Sequence, residues 1–219
     1  MLYPQRFQRR WRATLAEPAG TSTERKHGGA GCDGKQLLCS DGVTPLLHVV
    51  FVHPCIHWNV GNIGRTCLGL GARLHLIKPL GFSMDAAQIR RAGLDYWHHV
   101  DVHVHEDWDT FAKENTEEQC DMRFFTKFAD SSTLDISSWH SEESIDSNDR
   151  TKPLVLVFGS EVEGFRGIEK WMKAGPRKTL AFPMVDDRFR SFNLSTTASM
   201  ALWDAYKSLA NEKQVACSN

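Results

Sequence analysis

Residues 182–209 read FPMVDDRFRSFNLSTTASMALWDAYKSL. A short apolar piece, Phe182–Val185, runs into a charged loop, and the loop runs into Ser191-Phe192-Asn193-Leu194-Ser195-Thr196. Ser, Asn and Thr side chains accept hydrogen bonds from the free N–H groups of a first helical turn, so a helix is expected to start near Asn193 or Ser195. Ala198, Leu202, Ala205 and Leu209 then recur at helical spacing. A strand end, a polar loop and a helix N-terminus in succession make a natural place for an anion or cofactor. Taken alone, the stretch reads equally as a buried C-terminal helix with an ordinary cap.

Upstream, apolar runs alternate with helical patterns. Leu46–Val52 is a near-continuous apolar run, as in a strand covered on both faces. The pattern predicts a helix over Val60–Gly71, a strand at Leu74–Ile77, a Pro79–Gly81 turn and a helix from an Asp85 cap through Arg91. Val100, Val102 and Val104 alternate with polar residues, which predicts a half-exposed strand. Further helices are expected at Asp107–Asn115 and Ile168–Ala174, and further strands at Phe124–Phe125, Leu154–Phe158 and Thr179–Phe182. This alternation predicts an α/β domain with a mostly parallel sheet and flanking helices.

Composition narrows the class. Hydrophobic content of 41% and charged content of 24% over 219 residues are ordinary for a globular domain. No apolar run approaches the roughly 20 residues of a membrane span, so no membrane partner is expected. Net charge is −1, so any nucleic-acid binding must rest on a local concentration of Lys and Arg. Six cysteines are scattered without a C-x-x-C pair, which speaks for reduced thiols in an intracellular compartment and against a zinc ribbon.

The flanks differ from the core. MLYPQRFQRRWRATLA holds four arginines and no acid, with Phe7, Trp11 and Leu15 on one helical face. That is the look of a transit peptide for a mitochondrion or other organelle, and equally of a basic tail touching RNA in the cytoplasm. Residues 17–45 read as a flexible linker, so residues 1–45 form an extension to a domain at 46–210, with 211–219 as a tail. The Ser- and Asp-rich stretch 129–152 has no apolar period and reads as an insertion.

Three motifs stand in order: Asn59-Val60-Gly61-Asn62-Ile63-Gly64-Arg65, Phe158-Gly159-Ser160-Glu161-Val162-Glu163-Gly164, and the PM–SFNLS pair at 183–195. Together they resemble the SPOUT superfamily of RNA methyltransferases. The run GNIGRTCLGLGARLHLIKPLGFSMDAAQIRRAGLDYW is most similar to the branch that methylates the 2'-hydroxyl of the wobble cytidine or uridine of tRNA. The resemblance covers roughly residues 46–210. It implies a C-terminal trefoil knot, which no periodicity reveals, and S-adenosylmethionine held by the knotted loops. It also implies a homodimer and a tRNA anticodon stem-loop as partner.

Moving a methyl group to a ribose hydroxyl needs a bound donor, an aligned hydroxyl, and removal or stabilisation of the charge that develops on oxygen. It needs no metal. In the helix expected near Val60, Ile63, Cys67 and Leu70 share one face, and Arg65 projects almost opposite to it. The resemblance makes Arg65 the favoured catalytic residue. A guanidinium pKa of about 12.5–13.8 suits it to orientation and charge stabilisation rather than to proton removal. A solvated helix side chain is the plain alternative.

The resemblance also places Asn59 in the active-site wall and Gly159 as a backbone contact to the adenosyl group. It gives Glu161 a role in stabilising the knot loop. It puts Phe182 and Ser191 at the cofactor and Leu194 near the adenine. Asn193 and Ser195 would organise the helix start, with Ser195 also near the hydroxyl. Thr126 matches another cofactor position. The stretch 185–190 is one residue longer than the branch pattern, which leaves Arg188 and Arg190 both open for the family's arginine. Phe192 replaces a common methionine, and Ser160 a common proline.

For RNA, Arg65, Arg73, Arg90, Arg91, Lys127, Arg188 and Arg190 are candidates for a basic surface. Trp97 reads as a base-stacking residue or, more plainly, as core. His103 and His105 share a strand face with Asp101 and invite a metal reading; lacking a closing ligand, they are expected on a solvated strand. The rivals to wobble methylation are the same chemistry on ribosomal RNA and an RNA-binding SPOUT protein without catalysis. A nicotinamide-binding fold would need a glycine fingerprint after the first strand, which is missing.

Overall fold

The computed structural model describes residues 36–84, 95–116, 118–129, 152–173 and 178–216. Six strands, β1 (Leu47–Val52), β2 (Arg73–Ile77), β3 (Val102–His105), β4 (Asp121–Phe125), β5 (Leu154–Phe158) and β6 (Lys178–Leu180), form one sheet in the order β3-β2-β1-β5-β4-β6. Every pairing is parallel. Around it lie helices α1 (His57–Leu70), α2 (Trp108–Glu114), α3 (Glu169–Lys173) and α4 (Leu194–Ala216), with a 3₁₀ turn at Trp97–His99.

The continuous apolar strands are explained by burial on both faces. In β1, Val49 and Phe51 face α1 and α4 together with Ile63, Cys67, Leu76, Phe158, Ala198 and Leu202. Val50 and Val52 face the other way, with Trp108, Phe111, Phe124, Val157, Phe165 and Ile168. A strand that buries both faces shows no alternation. The sheet order reverses at β1/β5, and in open parallel sheets that switch point opens a crevice beyond the strand carboxyl ends.

Helix α4 runs on to Ala216, into the stretch read as a tail at 211–219. Two further expectations change. Residues 36–45 do not form a linker: Leu37 and Cys39 are 5% and 7% exposed and belong to the α1 face core. The segment is tied down by Leu46 N–H to the Leu37 carbonyl, by Gln36 Nε2 to the Gly71 carbonyl at 3.1 Å and by the side chain of Asp41, which accepts from the Val43 and Thr44 amides. The folded domain therefore includes residues 36–45.

The second concerns the histidines, where α2 covers the strand face that the sequence presents as solvated. Phe111 lies edge-on to the His75 and His105 rings, both centroids at 5.2 Å. His48 Nε2 lies 3.1 Å from the Pro45 carbonyl, which can only accept. That fixes the row: His48 Nδ1 accepts from His75 Nε2 at 3.2 Å, and His75 Nδ1 accepts from His105 Nε2 at 2.9 Å. Among the described residues, no group of three His, Cys, Asp or Glu side chains is arranged to hold a metal ion.

The helix expected from Asp85, the residues Arg90 and Arg91, the basic segment over 1–35 and almost all of the 129–152 insertion lie outside the described residues. No helix among the described residues is long and apolar enough to cross a membrane.

Candidate active site

Helix α1 starts at His57, three residues before the expected start, and its N-cap Ile56 has no side chain to offer. The cap comes from 105 residues further along the chain. The Glu161 carboxylate accepts from the amides of Cys55 (2.8 Å) and Ile56 (3.3 Å) and from Asn59 Nδ2 (2.7 Å). A carboxylate at a helix N-terminus meets free N–H groups and the positive end of the helix dipole. Glu161 thus ties the second motif to the first helix.

Asn59, 3% exposed, passes the link on. Its Oδ1 accepts from Asn193 Nδ2 at 2.9 Å. Asn193 caps α4: its Oδ1 accepts from Ser195 N–H (2.9 Å), Ser195 Oγ (2.8 Å) and Thr196 N–H (3.3 Å). One chain of hydrogen bonds, Glu161–Asn59–Asn193–Ser195, joins all three motifs.

Next to it lies a cleft of about 790 Å³, within the ~300–1,000 Å³ typical of small-molecule sites. Thr126, Gly159, Glu161, Phe182, Ser191, Asn193 and Leu194 all line it, as do Asn59, Lys127 and Arg190. Its apolar floor is the stack of Phe158, Phe125 and Phe182, at centroid spacings of 4.7 and 5.8 Å. Gly159 is required for a nearer reason than cofactor approach. The Ser160–Gly164 turn folds back on it through paired backbone bonds of 2.8 and 3.0 Å, and a Cβ at 159 would stand 2.4 Å from the Gly164 carbonyl carbon. Gly164 itself has φ +61, a value that favours glycine.

Three residues fall elsewhere. Ser195 is buried, and its hydroxyl is committed to Asn193 rather than to the cleft. Arg188 pairs with Asp186 inside its own loop, at 2.9 and 2.6 Å, whereas Arg190 faces the cleft. Arg65 is exposed on α1, as its position opposite Ile63 and Cys67 requires, and lies outside the cleft lining. Of the remaining candidates, Arg73 is paired with Asp101 at 2.8 Å, and Trp97 packs against the α1 core. Sequence reasoning did not single out Tyr96, whose ring lies under the Arg65 guanidinium.

A profile of the SpoU rRNA Methylase family matches residues 46–203. The chain belongs to this family. A tRNA (cytidine(34)-2'-O)-methyltransferase of Burkholderia cenocepacia is 36% identical over 162 residues, covering 74% of this chain and 95% of that protein. A solved structure described as giving structural insights into the 2-OH methylation of C/U34 on tRNA is 33% identical, with a TM-score of 0.60, covering 75% of this chain and 97% of that one. The SpoU methyltransferase AviRb of Streptomyces viridochromogenes, in complex with the cofactor AdoMet, is 18% identical with a TM-score of 0.56, covering 74% of this chain and 57% of that one, and shares the fold. The match begins at residue 46, so the basic segment expected to target an organelle or touch RNA lies upstream of it. For a SpoU methylase the shared part of the chain is the part that builds the cleft.

Proposed function

We propose that the protein uses S-adenosylmethionine to methylate the ribose 2'-hydroxyl of the wobble nucleotide, cytidine or uridine 34, in the anticodon loop of tRNA. The observation that carries this reading is the cleft itself. Thr126, Gly159, Phe182, Ser191 and Leu194, all expected at the cofactor, line it together with Glu161 and Asn193, beside the hydrogen-bond chain that joins the three motifs. The donor set fits the cofactor: a flat aromatic floor suits an adenine, and loop backbone around Gly159, Phe182 and Ser191 supplies amides and carbonyls. When bound, S-adenosylmethionine supplies an electrophilic methyl group.

The chain's own residues do the rest. Glu161, Asn59 and Asn193 hold the cleft walls in register. Arg65 and Arg190 orient the ribose and its phosphate, and Arg65 stabilises the charge that develops on the 2'-oxygen. Lys127 adds a phosphate contact at the rim. The reading includes a homodimer. Arg65 lies outside its own cleft, which supports delivery to a partner's site, and the exposed Trp203 on α4, stacked on the half-buried Tyr206, offers a face for a second copy to bury. It also includes the trefoil knot, supported by β6 lying outside β4 while α4 returns to pack on α1, β1 and β5.

The test uses purified protein, labelled S-adenosylmethionine and total tRNA lacking wobble 2'-O-methylation, followed by nuclease digestion and mass spectrometry. The expected result is one 2'-O-methyl group, at nucleotide 34. Incorporation only into ribosomal RNA would move the substrate. Cofactor binding with no transfer to any RNA would favour a non-catalytic RNA-binding protein.

A further inference from the structure

The Arg65 guanidinium carbon sits 4.5 Å from the centre of the Tyr96 ring. The Tyr96 hydroxyl donates to the Gly61 carbonyl at 2.9 Å. In a regular helix that same carbonyl accepts the amide of the residue four positions on, here Arg65. The ring is therefore anchored to the turn of α1 that carries the arginine.

The anchor has a firm base. A Cβ on Gly64 would stand 2.6 Å from Trp97 Cζ3, so the bare backbone of Gly64 is what lets the indole lie against α1. Trp97 packs on the core, and backbone bonds from His99 to Tyr96 and from Val100 to Trp97 close the 3₁₀ turn beneath the two rings. Tyr96 is held through its hydroxyl by Gly61, and its chain neighbour Trp97 is packed against Gly64 of the same helix.

An arginine on an exposed helix stripe carries about 2 kcal/mol of rotamer entropy. A carboxylate partner would quench that motion but would occupy the N–H donors a substrate needs. Among the described residues no carboxylate pairs with Arg65; the ion pairs of the arginines lie elsewhere. An aromatic face attracts the cation through its quadrupole and leaves the donors free.

Resting on the methyltransferase reading above, we propose that Tyr96 is a positioning residue, which holds the Arg65 guanidinium by its ring and is itself fixed to α1 by its hydroxyl. Removing the ring costs turnover without costing cofactor affinity. Tyr96→Leu lowers kcat about tenfold, because small misplacements of a reacting group are costly. Tyr96→Phe keeps the ring and loses less, about threefold.

The experiment has two arms. Single-turnover methylation is measured for Tyr96→Leu, Tyr96→Phe, Arg65→Ala and the Arg65→Ala/Tyr96→Leu double variant, with cofactor affinity by calorimetry. The expected result is non-additivity: once Arg65 is gone, Tyr96→Leu costs no more than about twofold. Full additivity, or equal loss of cofactor affinity and rate in Tyr96→Leu, overturns the proposal. The second arm records Arg65 side-chain proton shifts by NMR in the wild type, Tyr96→Phe and Tyr96→Leu. Upfield ring-current shifts present in the first two and lost in the third are expected. Identical Arg65 shifts in all three overturn the proposal. This arm needs no substrate, so a wild-type protein inert on tRNA would sink the wobble reading while the NMR comparison still decides the role of Tyr96.

Discussion

The cleft and the histidine row are both built from polar side chains on neighbouring segments, yet they keep opposite kinds of company. At the cleft, Glu161, Asn59 and Asn193 meet where strand ends open towards solvent. Across β1, β2 and β3, His48, His75 and His105 meet in a row, with Phe111 against His75 and His105. Burial strips the row of charge. It pushes His48 down to about 3 and His105 to about 4, and holds His75 well below the usual histidine value. At the outer end of the row, burial alone would raise Asp101. The bonds from His103 and Arg73 outweigh it and keep that carboxyl well below its usual range. Residue type alone does not separate a reactive group from a packed one; the covering element does.

On the methyltransferase side of the comparison, the largest effect is expected at Arg65, which lies outside its own cleft and is proposed to serve a partner's. Arg65→Ala is expected to lower methyl transfer by about 10²–10³, as for loss of one donor to a developing oxyanion, with cofactor affinity unchanged within about twofold. Calorimetric loss of cofactor binding would instead make Arg65 a structural or cofactor residue.

The histidine side is tested by acid. The folded pKa values of the row lie below the unfolded value near 6.5, so between those limits the unfolded chain binds more protons. Its contribution is complete above about pH 6.5 and is lost as pH falls towards 4, with Glu114, Asp101 and Arg73 the charged groups nearest the rings. Unfolding free energies from denaturant melts are expected to fall by on the order of a few kcal/mol between pH 7 and pH 4. A flat profile would mean that the rings take up protons while folded.

Glu161→Gln sharpens the contrast, since it keeps the shape and removes the charge. The expected loss is about 2 kcal/mol of stability, the scale of hydrogen bonds to a charged group, with weaker cofactor binding. Urea melts and calorimetry read both, and an unchanged melt would deny Glu161 its capping role. The smallest effect separates two truncations. Deleting residues 1–35 is expected to leave the melting temperature unchanged, and deleting 1–45 to cost about 2 kcal/mol through loss of the buried Leu37 and Cys39. Equal melts for both truncations would return 36–45 to the status of a linker.

The sequence made the motif side legible because the second and third motifs follow strand ends and the first lies in the helix that follows β1, where the change from apolar run to polar residues is visible in one dimension. Asn193 as a cap and Leu154–Phe158 as a strand are local facts and were readable as such. Glu161 was not, because its partners at Cys55 and Ile56 are more than a hundred residues away. His105 misled because alternation marks a polar face without saying what packs over it, whereas His103 stays half-exposed beside Asp101. Leu37 and Cys39 were hidden among glycines and polar residues, which set the composition of the segment but not its burial.

The chain of bonds from Glu161 through Asn59 to Asn193 spans sequence separations of 102 and 134 residues. Such closures come late, because a chain must lose loop entropy before distant contacts reward it. A partly folded or half-synthesised molecule with only the first two motifs in place has an α1 cap but no α4 cap and no closed cleft wall. Cofactor capture is therefore a report on completed folding, and an intermediate of this protein cannot trap the methyl donor or act on RNA before the last helix has docked.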